Sequence, residues 1–196
     1  MEKEMQTPSE KNFNLSKVKL NPDGGLQADY QVTETVGGEP SVTDYHANVA
    51  REIHPELRGL FEDLRPIVGR VFNITSFLSF IDAEVISHNI ADRARQFADE
   101  LLQKIDVRGV SWSGANDNIG VVITAVFETP NGLKTCVNTP RIKTAQISFG
   151  FEEELEEITG AIKSEVYAYL FQGKQAQLSL FGQQADADPN PDLPEE

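Results

Sequence analysis

Short stretches of alternating hydrophobic and polar residues near the start of the chain predict a β-hairpin. Residues 17–20 and 27–35 have the composition of two strands, and residues 21–25 (Asn-Pro-Asp-Gly-Gly) supply the dihedral angles of a reversing turn. The connections between the later β-rich runs are short and contain Gly and Asn, which favours an antiparallel meander. These runs are 107–113, 119–129 and 133–137. One more strand is predicted at 145–149.

Between these two β-rich parts the apolar residues recur at steps of three and four, which is the period of a half-buried helix. A first helix is predicted to start near Pro55, because the missing N–H of proline costs little in a first helical turn. Pro66 then ends or kinks that helix, and 72–90 is predicted as helix and loop. A clearer helix spans 91–105, and one apolar face of it is expected to be packed. That face comprises Ala94, Phe97, Ala98, Leu101, Leu102 and Ile105.

The last ordered element is predicted as a long helix from Glu152 to about Leu170. Its apolar residues also repeat at steps of four and three: Phe151, Leu155, Ile158, Ile162, Val166 and Tyr169. Five glutamates in its first turns face the positive end of the helix dipole. We interpret them as stabilising the start of the helix and as solvated, in preference to a metal or catalytic role. Gly173 occupies a position where helices commonly stop.

Together these elements predict the α+β fold class, with an N-terminal hairpin, central helices, an antiparallel β meander, a long C-terminal helix and a disordered tail. Residues 1–12 are polar and lack periodicity, so they are predicted to be unstructured. Residues 13–173 are predicted to form a single α+β domain, and 174–196 a flexible tail. A chain of 196 residues has room for one such domain with a substantial core.

No apolar stretch follows the charged first residues, and no run approaches 18 apolar residues. We therefore expect neither a signal peptide nor a membrane span, and we expect a cytoplasmic protein. The single cysteine, Cys136, rules out an internal disulfide and is expected to be a buried, inert thiol on a strand.

The charge of the chain argues against a plain nucleic-acid-binding protein. Acidic side chains outnumber basic ones 31 to 17, and the net charge is −14. Most of the surface therefore repels phosphates, and any contact with DNA is expected to be indirect or weak. The same charge suits either ordinary solubility or a protein that imitates DNA. A local basic patch among six residues stays open at this point: Arg65, Arg70, Arg93, Arg95, Arg141 and Lys143.

We assign no catalytic residue, no metal site and no cofactor from the sequence. The three histidines, His46, His54 and His88, lack the spacing of a zinc-binding helix, and His54 is interpreted as a capping or surface residue. Trp112 is more typical of a core or sheet position than of a base-stacking platform. Four carboxylates were considered as a nuclease-like magnesium cluster, but their spacing matches no recognised motif. They are Asp82, Glu84, Asp92 and Asp106.

The tail contains one apolar cluster in otherwise polar sequence. Its residues are Gln177, Leu178, Ser179, Leu180 and Phe181. All five match the pentapeptide Gln-Leu-(Ser or Asp)-Leu-Phe, so the segment resembles the peptide by which bacterial polymerases, mismatch-repair proteins and initiation regulators bind the DNA sliding clamp. A chance match in one chain of this length is expected on the order of once in a few thousand sequences. The resemblance covers these five residues and no other part of the chain.

The resemblance implies a role for each of the five residues. Leu180 and Phe181 would fill the deep hydrophobic subsite of the clamp, and Leu178 would occupy a smaller apolar spot. Gln177 would donate and accept hydrogen bonds at the entrance of the groove, and Ser179 would act as a spacer. The predicted partner is therefore a bacterial DNA polymerase sliding clamp.

Several interpretations of function remain open from the sequence. The first is a non-catalytic replication or repair accessory protein that binds the clamp, of a kind typical of a phage or mobile element. The second is an acidic DNA mimic that inhibits a host nuclease or restriction system, and the third is a metal-dependent nuclease. For the tail itself, the alternative is that Leu178, Leu180 and Phe181 fold back onto the domain as an edge strand or latch.

Overall fold

An antiparallel sheet runs through the protein, whose computed structural model describes residues 8–74, 88–115, 118–129, 131–143 and 150–174. Its strands are β1 (Phe13–Leu20), β2 (Leu26–Val36), β3 (Glu39–Val49), β4 (Ile105–Ser113), β5 (Gly120–Glu128), β6 (Lys134–Asn138) and β7 (Ile142–Lys143). Their order across the sheet is β3-β2-β1-β4-β5-β6, and β7 pairs with β5. Strands β1 to β3 form one antiparallel meander and strands β4 to β6 form a second. The two meanders meet at the β1–β4 pair in the middle of the sheet.

The helices pack on one face of this sheet. They are α1 (Pro55–Asp63), α2 (Arg65–Val71), α3 (His88–Gln103) and α4 (Glu152–Phe171), and a single 3-10 turn covers Glu10–Asn12. One hydrophobic cluster joins strand residues to Phe61 of α1, Ile67 of α2 and Ile162 of α4. The predicted α+β class is therefore confirmed, with its core between the helical layer and the sheet. None of the helices in the described ranges has the length and apolarity that a membrane crossing requires.

The register of the strands explains why only one face of the sheet is apolar. Val18 of β1 lies opposite Ala28 of β2 and Val110 of β4, and Val110 lies opposite Ile123 of β5. All four are buried and form a row across the sheet. Because side chains alternate between faces along a strand, the neighbouring row points away from the helices. This other face carries polar residues such as Lys17.

The predicted N-terminal hairpin is confirmed as β1 and β2, and the strand after it was missed. β3 pairs with β2 over eleven consecutive residue pairs. Gly37 and Gly38 form the loop between β2 and β3, and both adopt positive φ, at +64° and +91°. Two-residue hairpin loops commonly require positive φ, which glycine adopts without strain, so Gly-Gly is a strong hairpin signal. Beyond Val32, β2 has no partner in β1. Residues 33–42 therefore project from the domain as a two-stranded hairpin end, which we call the arm.

The first predicted helix begins as expected and is interrupted just before Pro66, as expected. Pro55 opens α1, and the Nδ1 atom of His54 accepts a hydrogen bond from the Glu56 N–H at 3.3 Å, which confirms His54 as a capping residue. Pro66 lies in the first turn of α2. The chain thus uses this proline to start a second short helix directly after α1, where its missing N–H again costs little.

Two residues assigned to the packed face of the third helix were placed wrongly. Phe97 is 53% exposed, and Ile105 belongs to β4, where it is fully buried. The residues of α3 that face the domain include Ala91, Ala98 and Leu102, which are separated by seven and four positions. Phe97 lies about 100° around the helix from Ala98, because each residue turns the helix by that angle.

The second half of the chain follows the predicted order. The meander is confirmed as β4, β5 and β6, and the long helix is confirmed as α4. Glu152 at its start is buried, and its carboxylate accepts a hydrogen bond from the Phe151 N–H at 3.0 Å. This contact fits the interpretation that the glutamates stabilise the helix start. The expectation that they are solvated is wrong for Glu152, whereas the other four glutamates are exposed. The predicted strand at 145–149 and most of 72–90 lie outside the described residues.

Two further expectations need correction. Cys136 lies on β6 as predicted, but its side chain is exposed, because it lies opposite Val126 on the face of the sheet that points away from the helices. Residues 8–12 were expected to lack structure, yet they contact α4. The Tyr167 hydroxyl donates to the Pro8 carbonyl at 2.5 Å, and the Ser164 hydroxyl donates to Glu10 at 2.8 Å. Polar partners on α4 thus hold a segment that has few apolar residues of its own.

Candidate functional site

The candidate site is the end of α4, where the chain continues toward the predicted clamp-binding peptide. That peptide, Gln177 to Phe181, lies outside the described residues. The described part ends at Lys174, so only residues 175 and 176 separate it from the peptide. The geometry of residues 171–174 therefore determines from which point of the surface the peptide starts.

Gly173 and Lys174 close the end of α4. Gly173 has φ of +70°, in the left-handed region that glycine adopts without strain, as predicted for a helix stop. The backbone N–H groups of Gln172 and Lys174 both donate to the Ala168 carbonyl, at 2.9 and 3.2 Å. Both bonds therefore go to one carbonyl acceptor in the last turn of the helix, where carbonyl groups are otherwise left unpaired.

The Lys174 side chain joins α4 to the first turn of α1. Its ammonium group donates to Glu165 at 2.8 Å and to Glu56 at 2.5 Å. The Glu165 and Glu56 carboxylates raise the pKa of Lys174, and the Lys174 ammonium in turn lowers the pKa of Glu56. We call these three residues the Lys174 clasp. It holds Lys174, the last described residue of this part of the chain, against two helices.

Five aromatic side chains anchor the last turn of α4 to the sheet. Phe171 lies 5.8 Å from Phe13 and 5.7 Å from Tyr30, ring centre to ring centre, both edge to face. Tyr167 completes the contact with Phe13 at 5.5 Å, and Tyr45 of β3 stacks on Tyr30 at 5.3 Å. Burial, and then the neighbouring Tyr45, raise the pKa of Tyr30. These contacts hold the last turn of α4 against β1 and β2.

The residues considered for a metal or for acid–base chemistry do not come together in the described structure. No group of three or more His, Cys, Asp or Glu side chains that could hold a metal ion occurs within the described ranges. The Asp106 carboxylate accepts from the Arg108 guanidinium at 2.6 Å, and Asp92 pairs with Arg95 at 3.5 Å. Asp82 and Glu84 lie outside the described residues.

Two of the histidines have described side-chain contacts in different parts of the fold. The Nδ1 atom of His46 lies 2.5 Å from the Asp29 carboxylate on the polar face of the sheet, and His54 caps α1. His88 is the first residue of α3.

Most of the candidate basic patch is neutralised or bound to backbone. Arg65 pairs with Glu62 and Arg70 with Glu154, each at 3.2 Å. Arg141 donates to the Ser113 carbonyl at 2.9 Å and to the Asn118 carbonyl. Arg65 and Arg70 lie on α2 and Arg141 directly precedes β7, so these three arginines lie in two separate parts of the chain and each already has a partner.

Trp112 has a structural environment. It is partly buried at the end of β4, and the Lys163 ammonium of α4 lies 4.9 Å from the centre of its ring, a cation–π geometry. Burial lowers the pKa of Lys163. The tryptophan therefore helps to hold α4 on the sheet, as its position on a strand suggested.

Comparisons with protein-family models, with curated proteins and with solved structures give no match for this chain.

Sequence reasoning missed two features around this site. The Lys174 clasp depends on Glu56, more than a hundred residues away, and no local pattern indicates such a contact. β3 had a usable signal, because Gly37-Gly38 follows a predicted strand and Tyr45, Ala47 and Val49 alternate after it. Its first half is polar, which hid the strand.

Proposed function

We propose that this protein is a non-catalytic accessory or regulatory factor of DNA replication or repair that binds a bacterial sliding clamp through residues 177–181. The observation that carries the proposal is the match of all five residues to the Gln-Leu-(Ser or Asp)-Leu-Phe peptide. The peptide lies in a segment rich in Gln, Asp and Pro, whose composition does not build a core of its own.

The end of α4 supports this proposal. Gln172 and Gly173 are exposed, so the chain leaves α4 at the surface. The Lys174 clasp and the aromatic contacts of Phe171 hold this exit point in place. A ligand peptide that follows a fixed exit point loses less freedom on binding than one at the end of a long linker.

The expected affinity follows from the two anchors. Burying a leucine or phenylalanine side chain contributes roughly 1.5 to 3 kcal/mol each before ordering costs are subtracted. Leu180 and Phe181 together then account for a contact in the micromolar range. Gln177 adds hydrogen-bonding specificity, since an amide both donates and accepts.

The short spacer adds a consequence for how the domain acts. Three residue steps separate Lys174 from Gln177, and an extended chain spans about 3.3 to 3.6 Å per step, so the two lie within roughly 11 Å. A clamp that holds the peptide therefore also has the folded domain beside its groove. We expect the domain to obstruct other proteins that use the same groove or to deliver an activity at that position.

The distribution of charge favours this proposal over a DNA mimic. The described residues contain 16 basic and 21 acidic side chains, which leaves a net charge of −5 out of the −14 of the whole chain. Residues 175–196 alone carry five carboxylates and no lysine or arginine. A mimic of DNA needs carboxylates spread like phosphates over one folded face. Several carboxylates of the domain are instead paired with arginines.

The test is a calorimetric titration of the purified full-length protein into a bacterial sliding clamp. We expect a micromolar dissociation constant for the wild type. The double variant Leu180→Ala/Phe181→Ala should bind at least about 100-fold more weakly, because two buried anchors are lost.

A matched control removes two large apolar side chains elsewhere on the surface. Leu133 is 67% exposed and Ile90 is 57% exposed. The variant Ile90→Ala/Leu133→Ala should therefore bind the clamp like the wild type. Equal affinity of the wild type and the Leu180→Ala/Phe181→Ala variant would exclude the proposal.

A further inference from the structure

The outer edge of β3 has few of the features that usually protect an edge strand. Among the described residues, β3 pairs with β2 alone, and the eleven pairs run without a bulge. The strand contains no lysine or arginine, and its only proline is Pro40, the second residue. Natural edge strands are commonly kept short or carry lysines, prolines or bulges, because a free row of N–H and C=O groups pairs readily with another strand.

The opposite edge of the sheet shows such protection. β6 has five residues and starts with Lys134, and the neighbouring β7 has two residues. The two edges therefore differ in length by about a factor of two, and β3 is the edge suited to accept a partner strand.

The sequence of β3 is complementary to itself in one antiparallel register. Consider two copies of β3 that pair about a twofold axis centred on one residue. A residue that precedes the centre by some number of positions in one copy then lies opposite the residue that follows the centre by the same number in the other copy. A centre at Asp44 would oppose two carboxylates, and a centre at His46 would oppose two imidazoles. A centre at Tyr45 instead places Asp44 of each copy opposite His46 of the other, so that no like charges meet.

The same register also covers exposed apolar surface. Tyr45 is 37% exposed and stacks on Tyr30. In the twofold pair the two Tyr45 rings would lie opposite each other on the helix side of the sheet and extend that stack across the axis. Val42, which is 57% exposed, would lie opposite Asn48 of the other copy. Aromatic cross-strand pairs stabilise antiparallel sheets.

We propose that the protein forms a twofold homodimer in which β3 of one copy pairs antiparallel with β3 of a second copy, centred on Tyr45, to give one continuous sheet. The chemistry that recognises the partner is strand pairing along β3, the Asp44–His46 complementarity and the Tyr45 contact. This interface does not involve residues 177–181, so it is independent of clamp binding.

Cysteine cross-linking tests the register directly, in the background Cys136→Ser because that thiol is exposed. Directly opposed residues of antiparallel strands have Cα atoms about 4.5 to 5.5 Å apart, within the range that a disulfide spans. Tyr45→Cys should therefore form a disulfide with its own copy under mild oxidation. Val42→Cys should not, because the two copies of residue 42 would lie about 20 Å apart along the strands.

A mixture of two single variants keeps Tyr45 in place and provides a second test of the same register. Val42→Cys mixed with Asn48→Cys should give a cross-linked heterodimer, whereas neither should cross-link alone. Self-cross-linking of Val42→Cys as efficient as that of Tyr45→Cys would overturn the proposed register. Circular dichroism of each variant checks that the fold is kept.

Sedimentation of the full chain tests the dimer itself. The mass of one chain is 21.7 kDa, and at tens of micromolar we expect species of twice that mass. Tyr45→Glu should weaken dimerisation at least about tenfold, since it opposes two carboxylates. The same charge on the other edge, in Thr135→Glu, should leave it unchanged.

Two further results would overturn the proposal. One is a monomeric mass at all concentrations. The other is loss of the dimer in Leu180→Ala/Phe181→Ala, which would place the self-contact in the tail. A dimer that persists in that variant and dissociates in Tyr45→Glu supports β3 pairing.

Discussion

Two valines in the same sheet illustrate the contrast between its covered part and its arm. Val18 of β1 is fully buried under the helices, whereas Val42 of the arm is 57% exposed. Val18 pairs with a strand on each side, β2 and β4, and points toward the helices, whereas Val42, among the described residues, pairs with β2 alone and points to the other face of the sheet. The two positions therefore differ in strand pairing as well as in helical cover. Burial under the helices holds a central strand such as β1 in the domain, whereas an exposed edge strand such as β3 remains available to a partner.

The largest expected difference comes from truncating these two valines. Val18→Ala should lower the free energy of unfolding by about 2 to 3 kcal/mol, because it removes buried methyl groups and leaves a cavity. Val42→Ala should change it by less than about 0.5 kcal/mol. Urea denaturation followed by circular dichroism measures both. Similar losses in the two variants would mean that the arm is covered in solution.

A buried hydrogen bond in the covered part gives the next largest effect. The Thr139 hydroxyl accepts from the Ile123 N–H at 2.9 Å in a buried position. Thr139→Val leaves that N–H unpaired and should cost about 1 to 3 kcal/mol of unfolding free energy. Thr124 bonds Asn138 at an exposed position, so Thr124→Val should be close to neutral. Thermal denaturation of the two variants, Thr139→Val and Thr124→Val, measures whether losing the buried hydrogen bond destabilises the fold more than losing the exposed one.

Replacing a glycine by alanine should change the free energy of unfolding in opposite directions in the two regions. Gly38 at the tip of the arm has φ of +91°, so Gly38→Ala should strain the turn by about 1 to 2 kcal/mol. Gly59 lies within α1 with open space beside it, so Gly59→Ala should stabilise by about 0.5 to 1 kcal/mol.

Hydrogen exchange localises the Gly38→Ala effect. Amide protection should fall in residues 33–42 and stay unchanged in β4 and β5, because the arm makes few contacts with the covered part. An equal loss of protection in β4 would show that the arm and the domain unfold together.

The smallest expected effect concerns the Lys174 clasp, which lies at the surface like the arm but connects two helices of the covered part. The Lys174 ammonium lowers the pKa of Glu56 below its ordinary value of 4.5. The pair therefore stabilises the fold above that pH and loses this contribution as the pH falls through the lowered pKa.

Lys174→Gln removes the ammonium and should return the pKa of Glu56 toward its ordinary value. An NMR titration of the Glu56 carboxyl group measures the shift. An unchanged titration curve in Lys174→Gln would show that the clasp does not form in solution.

Much of the covered part could be predicted from the sequence because its signals are local. Pro55 and the steps of three and four in α1 and α4 indicated helices, and short turns indicated the β4–β6 meander. These patterns record burial on one face, which is what the helical layer produces. Phe97 was assigned to the packed face because it is apolar and fits the spacing of three and four. The buried residue is its neighbour Ala98, and Phe97 is 53% exposed.

The arm and the exit of the tail could not be predicted in the same way. The first half of β3 is exposed on both faces, so it shows no hydrophobic alternation to reveal it. The Lys174 clasp joins residues 56, 165 and 174, and only the tertiary fold brings them together. The candidate clamp-binding peptide differs from both, because its signal lies in five adjacent residues and is visible in the sequence alone. Its role stays a prediction.

Trp112 gives the molecule a selective optical reporter. It is the single tryptophan of the chain, and it lies at the interface between β4 and α4 beneath Lys163. Its emission will follow separation of the helical layer from the sheet and will be blind to fraying of residues 33–42. Fluorescence and exchange experiments therefore observe different parts of this protein, and disagreement between them would measure how independently those parts open.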